Sequence, residues 1–129
     1  MATDPIFAAT PQVAVGQVTT AEASRTAPTN VVTVYTSGAS GSRIESIEIT
    51  ATGTTTAGMI RIFLYDGSSY RLLIEQPVTA VTPSATVPTF YVPLIFGDLK
   101  PLILKNGWSI RCTTEKTETF NITIIGGDF

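Results

Sequence analysis

Side chains that could carry out catalysis are few in this chain, and the commonest general base is absent. None of the 129 residues is a histidine, which excludes Ser-His and Cys-His nucleophile pairs and histidine-bound metals. Glycoside hydrolysis would need two carboxylates about 5 to 10 Å apart across a cleft. The candidate carboxylates, none of which lies in a catalytic motif, are Glu45, Glu48, Glu75, Glu115 and Glu118. We therefore predict no catalytic residue and no enzymatic activity.

Acidic residues also lie beside glycines in segments that favour turns, namely Asp66, Asp98 and Asp128. A calcium loop gathers several oxygen ligands within about a dozen residues, whereas these acids occur singly. We predict no metal site and no cofactor. Asp66 and Gly67 instead have the composition of a tight turn, because Asp accepts hydrogen bonds from backbone amides ahead of it and Gly adopts positive φ without strain.

The single cysteine, Cys112, cannot form a disulfide within the chain. In an extended segment it shares a face with Trp108 and Ile110, because alternate residues of a strand point the same way. We predict that Cys112 is a small buried apolar side chain.

The composition narrows the range of partners. The net charge of −2 and the pI near 4.9 provide no basic stripe, so nucleic acid and anionic membranes are disfavoured. No apolar run is long enough to span a membrane, and "MATDPIF" lacks the features of a secretory signal. Charged residues make up 14% of the chain and its mean hydropathy is +0.28, so we expect part of the surface to be covered by association.

Alternation with a period of two dominates the chain from Asn30 onward, and no helical period is present. We predict strands over residues 31–36, 43–51, 59–65, 70–76, 89–96, 99–105, 108–113 and 119–125, each bounded by Gly, Pro, Asn or Ser/Thr clusters. The fold class is therefore all-β.

The stretch "RIFLYDGSSYRLLIE" predicts a β-hairpin with its turn at residues 66–69. Alternation predicts which of its side chains face the core, namely Ile62, Leu64, Leu72 and Ile74. Phe63 and Tyr65 then lie on the opposite face.

An antiparallel β-sandwich of about eight strands, jelly-roll-like, is the architecture that this strand count favours. One feature conflicts with it, because the short turn would pair the third and fourth predicted strands, which a jelly roll of these eight strands places in opposite sheets. An immunoglobulin-like sandwich, or a jelly roll to which the N-terminal arm adds a strand, remains open.

Two residues interrupt the alternation. Ile44 lies on the face opposite Ile47 and Ile49, which implies a bulge, a strand buried on both sides or a later start. Pro93 has no N–H to donate, so its strand is predicted to be an edge strand or to be bulged there.

Residues 1–30 form the first of two predicted regions, an extended N-terminal arm, and residues 31–129 form the β-sandwich domain. The arm shows no lasting period, but it is more apolar than a solvated tail usually is. A disordered tail is the alternative. We expect an arm that becomes ordered against a neighbour.

Three stretches, which together cover most of the chain, carry a resemblance to a known family. The segment "TAPTNVVTVYTSGASGSRIESIEITATGTTTAGMIRIFLYDG", followed by "RLLIEQPVTAVTPSATVPTF" and a terminal "GGDF", resembles small structural proteins of tailed bacteriophages. The resemblance implies a virion component, such as a capsid decoration or cement protein. It implies the major capsid protein as partner, a homo-oligomer with a trimer favoured, and a place on the capsid surface after synthesis in the host bacterial cytoplasm.

A decoration protein works by burying surface against its neighbours, so we predict interface residues from the arm, from the aromatics of the hairpin, from the loop 77–88 and from the strand that follows it. They are Ile6, Phe7, Val13, Val15, Phe63, Tyr65, Val81 and Tyr91. The alternatives are a carbohydrate-binding or receptor-binding fibre head module, whose platform would be Trp108, Tyr65 or Tyr91, and a tail or neck component of the virion.

Overall fold

The computed structural model describes residues 9–97 and 99–129, and these form an all-β sandwich without a helix. Every pairing between its strands is antiparallel. The strands are β1 (Thr10–Val18), β2 (Val32–Thr36), β3 (Ser42–Ala51), β4 (Gly58–Tyr65), β5 (Tyr70–Val78), β6 (Tyr91–Ile95), β7 (Leu102–Leu104), β8 (Ser109–Thr114) and β9 (Phe120–Asp128).

The strands form two sheets. The five-stranded sheet has the order β1-β9-β3-β6, with β7 also paired to β3, and the four-stranded sheet has the order β2-β8-β4-β5. One side of β3 is paired with β9. The other side of β3 pairs with β6 along one part of its length and with β7 along another. They are therefore two segments of one edge strand. When β6 and β7 are counted as one strand, the two sheets have the strand order of a jelly roll.

All eight strands predicted from the sequence are present, and β1 is an additional one. Residues 10–18, which the sequence analysis assigns to the arm, pair along their whole length with β9. With β1 counted first, the hairpin joins the fourth and fifth strands, which a jelly roll keeps in one sheet. The apparent conflict with a jelly roll therefore disappears, and the alternative in which the arm adds a strand fits the observed order.

The core lies between the inner faces of the two sheets and is rich in isoleucine. Its fully buried members include Ile47 and Ile49 of β3, Ile60 of β4 and Ile122 of β9. Cys112 is also fully buried there, as predicted, and burial raises the pKa of its thiol to about 12. Removal of this apolar surface from water is the main term that holds the sheets together.

A β-bulge explains the position of Ile44. Against β9, Ile44 pairs with Gly126 and Ser46 pairs with Ile125, so Glu45 is the additional residue. The bulge reverses the alternation and turns Ile44 into the core, where it is fully buried. Pro93 lies in β6 at the edge of its sheet, as its missing N–H predicts.

A second bulge corrects the prediction for Leu72. In the hairpin, Ile62 pairs with Ile74 but Phe63 pairs with Leu72, so Leu73 is the additional residue of β5. Leu72 therefore shares the outer face with Phe63 and is partly exposed, whereas Ile74 packs against the core as predicted. The prediction that Leu72 faces the core is wrong because strict alternation cannot pass through a bulge.

Residues 19–30, which we call the strap, lie on the outer face of the four-stranded sheet. The strap runs beside β8, where the Glu22 amide donates to the Thr114 carbonyl at 2.8 Å. Arg61 lies on that outer face yet is only 3% exposed. Its guanidinium pairs with Glu75 at 2.9 Å and Glu115 at 2.5 Å and donates to the Glu22 carbonyl at 3.3 Å. Arg61 thereby fixes the strap to the sheet.

Glu22 gives the strap its shape. Its carboxylate accepts hydrogen bonds from the backbone amides of Asn30 and Thr29, each at 2.9 Å, and of Ser24 at 3.1 Å. These bonds stabilise the charged form and lower the pKa of Glu22 to about 2. A further ion pair joins Arg25 to Glu75 at 2.7 Å.

Asp128 connects strands of both sheets at one end of the sandwich. Its carboxylate accepts hydrogen bonds from Ser42 at 2.6 Å, from Tyr35 and from Gln12 at 3.1 Å. These residues lie in β3, β2 and β1 respectively. The hydrogen bonds, that of Ser42 above all, hold the pKa of Asp128 below its usual value. The cluster fastens β1 to the body of the domain.

Gly126→Ala tests the close approach at the first bulge. A Cβ on Gly126 would collide with the Arg43 carbonyl oxygen and lie 3.0 Å from the Ile44 Cα, both backbone atoms. We expect the free energy of unfolding to fall by about 2 kcal/mol or more, measured by urea denaturation. Gly53→Ala is the matched control, because nothing lies within 4 Å of its Cβ position. Equal effects of the two variants would contradict the packing described.

Arg61→Met tests how the strap is held. The variant keeps the apolar stem but removes the ion pairs and the bond to the Glu22 carbonyl. We expect trypsin to cleave after Arg25, within the strap, about tenfold faster, because one charged hydrogen bond contributes roughly 1.5 to 3 kcal/mol. Lys105→Met, at an exposed residue, is the control. We expect trypsin to cleave it after Arg25 at the wild-type rate. An unchanged rate in Arg61→Met would show that other contacts hold the strap.

Candidate interaction surface

The outer face of the five-stranded sheet is not covered by any described residue, and it carries apolar side chains in register. Residues directly opposite one another in antiparallel strands point to the same face. One such row crosses four strands: Val13 pairs with Ile125, Ile125 with Ser46, and Ser46 with Ile95. Neighbouring rows add further apolar residues, namely Val15, Tyr91, Pro93 and Ile103. We call this surface the open face.

Exposure distinguishes the open face from the rest of the molecule. Val13 is 67% exposed and Ile95 is 70% exposed, and Val15, Tyr91 and Ile103 are each at least half exposed. Single exposed apolar residues are common on soluble proteins, but a contiguous patch across a sheet marks a site of interaction. The open face therefore matches the association that the low charge content predicts.

An apolar cleft extends the open face at one end of the sandwich. It has a volume of about 540 Å³, and Ile103, Trp108 and Phe129 are among the residues that line it. The Phe129 amide donates to the Gly41 carbonyl at 3.0 Å, which holds the C-terminal residue beside the cleft. Ile103 belongs to both the cleft and the open face, so the two are continuous.

Several polar side chains on the open face are paired with one another. Arg43 lies 3.0 Å from Glu45, and the Tyr91 hydroxyl donates to Glu48 at 2.6 Å. A partner that covers this face would therefore not bury a charge without its pair. Burial of an unpaired charge would cost several kcal/mol. The surface has the composition of an interface: an apolar centre with paired polar groups.

The sheet edges are less suited to association than the face. Three of the edge strands contain a proline, namely Pro11 in β1, Pro77 in β5 and Pro93 in β6. Proline lacks the N–H that a strand added at the edge would need, and it is one of the devices by which proteins avoid edge-to-edge pairing. Contact through the open face is therefore favoured over extension of a sheet.

The predicted interface residues divide into two groups in the structure. Val13, Val15 and Tyr91 come together on the open face. Val81 is half-buried and exchanges backbone hydrogen bonds with Thr55, away from this face. Ile6 and Phe7 lie outside the described residues.

The hairpin aromatics are on the other sheet. Phe63 points away from the core as predicted but is 0% exposed and packs edge-on against Tyr70. Phe63 therefore exposes no surface in the isolated chain, and its place in an interface stays a prediction. Tyr65 is half-buried, with the Arg111 guanidinium 3.9 Å from its ring centre.

Sequence reasoning missed several residues of this surface: Ile95, Ile103, Ile125 and Phe129. A signal for two of them was present. Ile95 lies two residues beyond Pro93 and four beyond Tyr91, so alternation puts the three on one face. Ile125 falls on the face opposite the buried Ile122 and Ile124. No local pattern distinguishes Ile103 or Phe129, whose exposure depends on how β7 and the C-terminal residue lie against β3.

The groups that could carry out chemistry have structural partners. Asp66 accepts the Ser68 and Ser69 amides at 2.9 and 2.8 Å, and Gly67 has a φ of 102°, so the predicted turn is confirmed. Among the candidate glutamates, Glu75 and Glu115 both pair with Arg61. The described residues contain no group of three potential metal ligands and no helix long and apolar enough to cross a membrane.

No family model, curated protein or solved structure matches this chain.

Replacing exposed residues of the open face tests whether the fold needs them. We expect the variant Val13→Thr/Ile95→Thr/Ile125→Thr to change the free energy of unfolding by less than about 1 kcal/mol, because these side chains already contact water. Ile124→Thr, at a buried residue of the same sheet, is the control and is expected to cost about 2 kcal/mol or more. Thermal denaturation measures both. A large loss in the triple variant would show that these residues stabilise the monomer.

Proposed function

We propose that this protein is a non-enzymatic structural component of a tailed-bacteriophage virion. In this proposal it is a capsid decoration or cement protein that binds the head shell through the open face. The observation that carries the proposal is the asymmetry of the sandwich. The strap covers part of the outer face of one sheet, and no described residue covers the apolar outer face of the other. The resemblance of the sequence to small phage structural proteins supplies the kind of partner, the major capsid protein.

The size of the open face is compatible with such a contact. With β6 and β7 counted as one edge strand, four strands about 4.8 Å apart and about nine residues long, at about 3.4 Å per residue, cover roughly 600 Å². This is about 1,200 Å² when both partners are counted, the lower limit for a specific interface. At about 25 cal/mol per Å² of apolar area, the contact is modest for one copy, but many copies on one shell together resist expansion.

The proposal includes a homo-oligomer, with a trimer favoured by the resemblance. The cleft lined by Ile103, Trp108 and Phe129 provides a second apolar surface for contacts between copies. Binding of the shell by the open face and contacts between copies at the cleft are then compatible. The protein would be made in the host bacterial cytoplasm and lie on the capsid surface.

Co-sedimentation with empty head shells of the encoding phage tests the proposal. We expect Val13→Asp/Ile95→Asp to weaken binding at least tenfold, because each change places an unpaired charge in an apolar contact. Leu73→Asp/Val87→Asp is the matched control, since both residues are exposed but lie outside the open face. Circular dichroism checks that both variants fold.

Equal binding of the two variants to the shells would show that the open face does not contact the shell. Binding of the wild-type protein to isolated tails rather than to shells would overturn the decoration role.

A further inference from the structure

The apolar cleft beside the C-terminal residue is not filled by any described residue. Ile103 and Phe129 are each about half exposed there, and Trp108, the one tryptophan of the chain, is half-buried. The volume of about 540 Å³ is within the range of pockets that hold small ligands, so the cleft can enclose two large side chains. Apolar surface that water still contacts is stabilised when another apolar group covers it. The cleft is therefore suited to an apolar occupant.

Residues 1–8, which we call the N-terminal segment, join the described part of the chain at the same end of the sandwich. Thr10 begins β1 and pairs with Asp128, and Asp128 pairs with Ser42. Ser42 pairs in turn with Leu104, which lines the cleft. This row crosses four strands, so Leu104 lies about three strand spacings, or roughly 14 Å, from the start of β1.

The N-terminal segment is long enough to reach the cleft. An extended chain spans at most about 3.3 to 3.6 Å per residue. Phe7 is three residues before Thr10 and Ile6 is four, so their Cα atoms can lie up to roughly 10 and 14 Å from that of Thr10. Phe7 can therefore reach the near wall of the cleft at Phe129, which directly follows the residue paired with Thr10. Ile6 can reach the far wall at Leu104.

The side chains of the N-terminal segment match those of the cleft. Ile6 and Phe7 are adjacent large apolar residues, and Asp4 carries the one charged side chain of the segment. Lys105 is the one charged residue that lines the cleft, and no acidic side chain of the described residues pairs with it. An exposed ion pair contributes little stability. Asp4 and Lys105 would therefore set the direction of the segment, and burial of Ile6 and Phe7 would hold it.

The cleft of the same chain is a better target for the segment than the cleft of another copy. Because the segment is attached to β1 at this end of the sandwich, its effective concentration at its own cleft is that of a short linker, roughly millimolar. The segment of a second copy reaches that concentration only in a concentrated solution or an assembled oligomer.

We propose that the N-terminal segment docks into the cleft of its own chain, with Ile6 and Phe7 packed against Trp108. The arm then becomes ordered against its own domain instead of the neighbour expected from the sequence. A copy that contacts this end of the sandwich would meet a filled cleft. Neither the virion role nor the oligomer enters the argument, so failure of the shell-binding test would leave this inference standing.

NMR of the full chain tests whether the segment docks and onto which copy. We expect nuclear Overhauser contacts between the Phe7 ring and the Trp108 indole. An isotope-filtered spectrum of mixed labelled and unlabelled protein shows only contacts between copies, and we expect this contact to be missing from it. The absence of the contact from both spectra, or its presence in the filtered one, would overturn the proposal.

Acrylamide quenching of the Trp108 fluorescence gives a second test. We expect Ile6→Asp/Phe7→Asp to raise the quenching constant at least about twofold, because a segment docked for more than half of the time shields the indole for that fraction. Ala2→Asp/Thr3→Asp is the matched control, since it adds the same two charges to the segment outside the apolar pair, and we expect wild-type quenching. Circular dichroism checks that both variants fold. Wild-type quenching in Ile6→Asp/Phe7→Asp, or an equal rise in the two variants, would also overturn the proposal.

Discussion

The burial of Arg61 is the interaction on which the difference between the two faces of this sandwich depends. A guanidinium that is almost removed from water must be paired, because an isolated buried charge costs several kcal/mol. Here Glu75 and Glu115 provide the pairing charges and the Glu22 carbonyl provides a further acceptor. The last of these belongs to the strap, so pairing Arg61 also requires the strap to lie on the sheet. Phe63 and Thr113 are also buried on this outer face.

The other sheet has no such cover among the described residues, and its outer side chains differ accordingly. Val13, Ile95 and Ile125 lie in one row across it and contact water in the isolated chain. The charged groups between them are paired locally, as Arg43 is with Glu45. Among the described residues, one face is therefore partly covered by the strap and the other is exposed. This asymmetry is what a protein that coats a larger assembly would require.

The strands and the fold class could be predicted from the sequence because period-two alternation is a local property, but β1 could not. Its large side chains, Val13 and Val15, point outward, while its inner positions include Ala14 and Gly16. Gly16 has to be small there, since its Cβ position lies 2.9 Å from a methyl group of Val34. The usual arrangement of apolar inside and polar outside is reversed, so the strand resembles an arm. The burial of Phe63 was equally beyond local patterns, because alternation gives the face to which a side chain points and not what packs against it there, which for Phe63 includes Tyr70.

Cryo-microscopy of intact virions of the proposed source phage tests the central claim most directly, since it would show whether the protein lies on the shell and which side of the sandwich contacts it. The proposal predicts density for this jelly roll on the head surface, with β1, β9, β3 and β6 against the capsid protein and the strap facing outward. Density in which the open face is bare to solvent, or particles that lack the protein on their heads, would contradict it.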